Sequence, residues 1–141
     1  MSAAAVLAPL FAQVLLVFIL LGWMAVTRGQ ALMRGAVAEQ DVALREPVWP
    51  KRALQAANAF SNQFELPVLF YTATLLALAM AAADAAFVAL AWVFVASRYA
   101  HAWEHVTTNV VRRRGLIYGA GMLVLLAMWV TLAVRVLMAR G

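Results

Sequence analysis

Residues 51–83 read KRALQAANAFSNQFELPVLFYTATLLALAMAAA, and the two halves of this stretch carry different signals. From Leu66 there is no charge until Asp84, an apolar length that suits a membrane helix. Upstream, polar residues recur with helical period. At 100° per residue Lys51, Gln55, Asn58, Asn62 and Glu65 lie within roughly 80° of one another, while Ala53, Leu54, Ala57, Phe60, Phe64 and Leu66 between them are mostly apolar. The pattern predicts one helix over 51–83 with a narrow polar stripe along its first half. Such a helix is about 50 Å long against about 30 Å of hydrocarbon, so the striped half extends into the interface. Pro50 suits a helix start, where a missing N–H costs nothing, and Pro67 relaxes or kinks the helix.

Three further apolar runs flank this one. Residues 6–26 are dense in apolar side chains, with no basic residue before Arg28. A secretory signal has a basic start and a shorter apolar core, so this run reads as a retained span. A third run is uncharged from Ala85 to Ser97 and continues in character through Val106; a fourth covers 115–134, with Arg135 and Arg140 marking its exit. Of the 141 residues, 67% are hydrophobic and 12% charged, where soluble domains carry about 25% charged. The mean hydropathy of +0.88 belongs to a bilayer protein. The expectation is one all-α integral membrane domain over 1–141, a four-transmembrane-helix bundle with helices at about 4–27, 51–83, 85–112 and 115–138. No cysteine is present, so the protein supplies neither disulfide nor thiol nucleophile.

The formal charge is +5. The basic residues lie mainly between the apolar runs, which makes them topology signals and leaves no basic face for nucleic acid. Residues 28–52 hold five basic and three acidic side chains, with Pro47 near the end, and Arg112, Arg113 and Arg114 precede Gly115, read as a helix stop. With four spans these two connections share one side, expected to be cytoplasmic, with both termini and Asp84 outside. The alanine-rich stretch from Ala77 to Ala91 suits close helix packing.

The third run carries its own stripe. Arg98, His101, His105, Asn109 and Arg112 fall within about 80° on a continuous helix. Its polar half is C-terminal, so on antiparallel neighbours the two stripes meet at one depth. An ionisable group near the bilayer centre costs at least about 2.5–3.5 kcal/mol, so Glu65 needs a partner or a cavity. One reading pairs Glu65 with Arg98 purely to hold the bundle together. The other is a ligand site, which the surplus of amides, histidines and arginines favours. His101 and His105, one turn apart, lack the carboxylate pair or cysteine of a metal or haem site. Arg113 and Arg114 read as topology signals, and Trp92, Trp103 and Trp129 as interfacial or packing residues.

Asn58, Asn62 and Glu65, followed by Pro67, resemble the Arg-x3-Asn-x2-Glu motif on helix two of the MAPEG proteins, the membrane-associated proteins of eicosanoid and glutathione metabolism. On helix three, Arg98-x2-His101-x3-His105-x6-Arg112 resembles that family's Arg-x2-Tyr-x3-Tyr-x6-Arg. The stretch from Asn62 to Tyr71 carries the likeness most strongly. The resemblance implies a homotrimer with glutathione, as co-substrate, lying between subunits. It implies binding roles for Asn58, Asn62, Glu65, Arg98, His101 and His105. Glu65 would take the ammonium of glutathione and Asn62 its peptide groups, while Arg112, as catalytic residue, would stabilise the thiolate. The sequence departs from the family in two places. Asn58 replaces an arginine, for which Lys51, Arg52 or Arg28 are candidate substitutes, and His101 and His105 replace tyrosines.

Three functions compete. The first is a glutathione-dependent transferase or peroxidase acting on a lipophilic electrophile from the bilayer. The second is a non-catalytic member that binds a lipid or partner at the same cleft. The third is a small proton-coupled exporter with Glu65 as proton carrier, which the amide- and histidine-rich surroundings of Glu65 disfavour.

Overall fold

The computed structural model describes residues 1–43 and 48–138; Pro47 and Arg140 lie outside them. The described residues form helices and no strand. In chain order the helices are α1 (Ala3–Met33), α2 (Glu39–Val42), α3 (Lys51–Ser61), α4 (Leu66–Ala79), α5 (Ala85–Val106) and α6 (Val111–Met138). Three of them, α1, α5 and α6, are long and apolar enough to cross a membrane.

The first helix outruns its expected end at 27 and reaches Met33. Nothing between Thr27 and Met33 stops it, because Arg28 and Gln30 are sound helix formers. It ends where Gly35 adopts φ +65. The Gly35 N–H then donates to Leu32 O at 2.9 Å and the Ala36 N–H to Ala31 O at 2.9 Å, capping the last turn. At the other end the Ser2 hydroxyl accepts from the Ala5 N–H.

The single helix expected over 51–83 is two helices. After α3 the chain tightens into a 3-10 turn over Asn62–Phe64, and Glu65 leaves helical geometry at φ −100, ψ −107. Pro67 is the cause: inside a continuous helix its ring would meet the carbonyl four residues back, and it has no N–H to donate. Restarting the helix at Leu66 places Pro67 in a first turn, where neither defect matters. At its far end α4 stops at Ala79, with Ala81 at φ +52 and the Ala82 N–H donating to Ala77 O at 2.8 Å.

The third helix is shorter than expected, ending at Val106 instead of 112. The Asn109 backbone turns left-handed at φ +51, a conformation that asparagine tolerates better than most residues. Glu104 braces this turn, accepting from the Thr108 hydroxyl and from the Val110 N–H at 3.1 Å. Gly115 is therefore no stop: α6 begins at Val111 and runs through it.

Two apolar clusters hold the bundle. Phe70 and Ala73 of α4, Phe87, Ala91 and Phe94 of α5, and Leu125 and Met128 of α6 form the larger. Phe70 stacks on Phe94 at 4.8 Å. In the smaller, Leu16 and Leu20 of α1 meet Ala59 and Ala102. Alanines at 53, 56, 57 and 59 bury one side of α3 and let it lie close to α1. Of the alanine-rich stretch, Ala77 and Ala91 are buried, whereas Ala79, Ala85, Ala86 and Ala89 face outward. Many large apolar side chains, among them Phe18 and Leu123, are exposed, as lipid or a neighbouring subunit would require.

Candidate functional site

The break at residues 62–65 sets the site. It frees the Asn62 carbonyl from the helical ladder, and that oxygen accepts from Arg98 Nη2 of α5 at 3.3 Å. Arg98 is fully buried, its guanidinium carbon lies 5.4 Å from the centre of the Tyr118 ring, and Nε and Nη1 have no hydrogen-bond partner. Tyr118 of α6 reaches across the same space, its hydroxyl donating to Glu65 Oε2 at 3.0 Å. With its amide nitrogen turned toward that carboxylate, Asn62 donates to Glu65 Oε1 at 2.9 Å.

One turn further along α5, His101 and His105 are both buried, 5.8 Å apart ring to ring, and His101 lies 5.5 Å from Tyr118. Arg114 closes this end. Its Nη1 donates to Asn109 Oδ1 at 2.6 Å and stands 3.3 Å from His105 Nε2. Between these groups is a groove of about 240 Å³ lined by Asn62, His101, Val111, Arg114, Gly115 and Tyr118. Glu65 is exposed at its edge.

The structure thus brings Asn62, Glu65, Arg98, His101 and His105 into one neighbourhood. Asn58 is exposed on α3 and does not line the groove. Arg112 is exposed in the first turn of α6 and does not line it either. The stripe that included Arg112 assumed a helix continuing past His105; the turn at Asn109 resets the phase, and Arg114 faces the histidines instead. Glu65 and Arg98 form no direct ion pair; among the described residues the one salt bridge joins Arg135 to Asp84. Sequence reasoning missed Tyr118 and read Arg114 as a topology signal. Their signal was a spacing of four residues, which puts both on one helix face.

The groove presents the Arg114 guanidinium and amide, imidazole and phenol groups, with the Glu65 carboxylate at its edge and the buried Arg98 guanidinium behind Asn62 and Tyr118. Those groups suit a small peptide-like ligand carrying both signs of charge. The profile of the MAPEG family matches residues 6–134. The chain belongs to the MAPEG family. No curated protein and no solved structure gives a match. Within this MAPEG protein, the break before Pro67 and the turn at Asn109 are the two local features that assemble the groove.

Proposed function

We propose that this MAPEG protein binds glutathione in the groove and joins it, through its thiol sulfur, to a lipophilic electrophile arriving from the bilayer. The observation that carries the reading is Arg98: a fully buried guanidinium with two unpartnered nitrogens, behind a groove that Arg114 lines and Glu65 edges through its contact with Tyr118. A buried cation with donors to spare is costly unless an anion completes it. Glutathione has two carboxylates for arginine, an ammonium for Glu65, and peptide groups for Asn62. His101 and His105 supply neutral hydrogen bonds in place of the family's tyrosines.

The thiolate-holding role passes from Arg112 to Arg114, the arginine that stands against His105. A guanidinium there lowers the thiol pKa from about 8.5, so the thiol proton leaves to water near neutral pH. The thiolate then attacks an electrophilic carbon. A carbon–sulfur bond forms while the leaving group departs, or an epoxide opens and takes up a proton.

The reading includes a second span made of α3 and α4, both termini outside, and assembly as a homotrimer. Supporting the trimer, Glu65 and many large apolar residues are exposed on the single subunit. A second reading, a non-catalytic member that binds a lipid or partner, draws on the exposed, uncharged Asn58 where the family motif has arginine. A proton-coupled exporter is less well supported, because Glu65 is exposed and partnered by Tyr118 rather than enclosed in an apolar chamber.

Titration calorimetry of the detergent-purified protein with glutathione tests the proposal. Binding in the parent protein is expected, weakened by about 1.5–3 kcal/mol in Glu65→Gln, the scale of one charge-assisted hydrogen bond. No heat of binding in the parent would turn the reading to the non-catalytic member.

A further inference from the structure

A second cavity, larger than the groove, lies elsewhere among the described residues. It lies between α1, α3 and α5, holds about 560 Å³, and has no lining residue in common with the groove. Arg34, which caps the end of α1, and Arg52 of α3 line it together with Gln30 and Gln55. Arg52, a candidate stand-in for the arginine missing at 58, therefore serves a different space from Arg98 and Arg114.

Gln55 is only 8% exposed and lines the cavity. Neither arginine is paired with a carboxylate among the described residues, and none of the acidic residues among them lines the cavity. A largely buried glutamine beside two cations that pair with no carboxylate among the described residues marks a place that a polar, anionic group would complete.

The cavity also continues into an apolar lane. A second depression of about 390 Å³ shares Trp23, Thr27, Gln30 and Arg52 with it and runs on along Ile19, Gly22 and Val26 of α1. Those three residues are exposed and belong to the uncharged part of α1, before Arg28. A Cβ added at Gly22 would meet nothing within 4 Å, so the lane is open there. Cations at the charged end and an open path along the exposed, uncharged stretch of α1 match one molecular shape: an anionic head with a hydrocarbon tail.

We propose that this cavity is a binding site for an acidic phospholipid of the surrounding bilayer. Arg34 and Arg52 hold the phosphate head, Gln55 donates to its oxygens, and one acyl chain lies along Ile19, Gly22 and Val26. The proposal is independent of what occupies the groove. A soluble anion such as inorganic phosphate or glutathione would use the arginines and leave the lane unused.

The test is native mass spectrometry of the full chain in mild detergent, offered equal amounts of phosphatidylglycerol and phosphatidylcholine with the same acyl chains. Both headgroups carry a phosphate, but in phosphatidylcholine the choline cancels its charge; each arginine favours the net anion by roughly five-fold, so the two together predict about a twenty-five-fold preference for phosphatidylglycerol. Arg34→Gln with Arg52→Gln should abolish that preference, whereas Arg113→Gln should keep it. Gly22→Leu fills the lane without backbone strain and should reduce retention of both lipids. Equal retention of the two lipids by the parent protein overturns the proposal without recourse to any variant. So does a preference that survives the double substitution or is lost equally in Arg113→Gln, retention unchanged by Gly22→Leu, or displacement of the lipid by millimolar phosphate or glutathione.

Discussion

Arg135 and Arg98 both reach across the bundle to residues far away in the chain, yet they are used in opposite ways. Arg135 is partly exposed. It pairs with Asp84, and its Nη1 donates to the Ala82 carbonyl at 2.7 Å. Asp84 in turn accepts from the Phe87 N–H at 2.9 Å and starts α5. The α4–α5 turn is thus closed, with its charges matched. Arg98 is fully buried, makes one 3.3 Å hydrogen bond, and leaves two nitrogens open. The matched end holds helices in place, and the unmatched end is free to hold something else. A buried cation costs more than its one hydrogen bond returns, and the proposed ligand is what would offset that cost.

The comparison breaks most readily at Arg98. Arg98→Met keeps a similar length and removes the charge, so glutathione affinity should fall by about 2–3 kcal/mol in calorimetry. The thermal midpoint should hold or rise, because an incompletely satisfied buried charge has been removed. A large loss of stability would make Arg98 a strut like Arg135.

Next in size is the choice between two neighbouring arginines. Arg114→Ala should return the bound thiol toward its free pKa near 8.5, lowering activity at pH 7 by roughly ten-fold with recovery at alkaline pH. Arg112→Ala should leave the profile unchanged. Thiolate absorbance followed against pH distinguishes the two, and a shift only in Arg112→Ala would restore the arginine that the family spacing selects.

At the closed end, Ala81 holds φ +52, a conformation that costs an alanine roughly 1–2 kcal/mol. Ala81→Gly should raise stability by up to about 1 kcal/mol and leave ligand binding untouched. Equilibrium unfolding in detergent would show the gain; a loss would mean that the Ala81 methyl makes a contact that outweighs the strain.

The smallest effect is expected from Asp84→Asn, which keeps a good helix cap and removes only the charge. The Phe87 N–H, and then Arg135, hold the Asp84 carboxyl below the usual carboxylate range. A depressed folded pKa contributes stability above the unfolded value and loses it as pH falls through the folded one. Asp84→Asn should therefore flatten the acid limb of the stability profile. An unaltered acid limb would show that the exposed pair contributes nothing measurable.

Local chemistry alone settled a good part of this protein. Uncharged runs at 6–26, 85–97 and 115–134 marked the three long apolar helices, because apolar length is what a bilayer selects. The spacing of Asn62, Glu65 and Pro67, and of Arg98 with His101, pointed to the MAPEG family before any coordinate was needed. Residues within one unbroken helix keep their phase, so Arg98, His101 and His105 were legible as one face. Phase did not survive the turns. Pro67 marked a kink but not its form, and only the folded chain shows the Asn62 carbonyl freed for Arg98. Beyond His105 the left-handed Asn109 carries Arg112 away from the groove and turns Arg114 and Tyr118 toward it. A turn of three or four residues rotates everything after it by an angle that composition does not encode, and packing of α6 on α5 decides that angle. Packing likewise sends Arg52 and Gln55 to the cavity beside α1, although the helical stripe grouped Gln55 with Asn62 and Glu65.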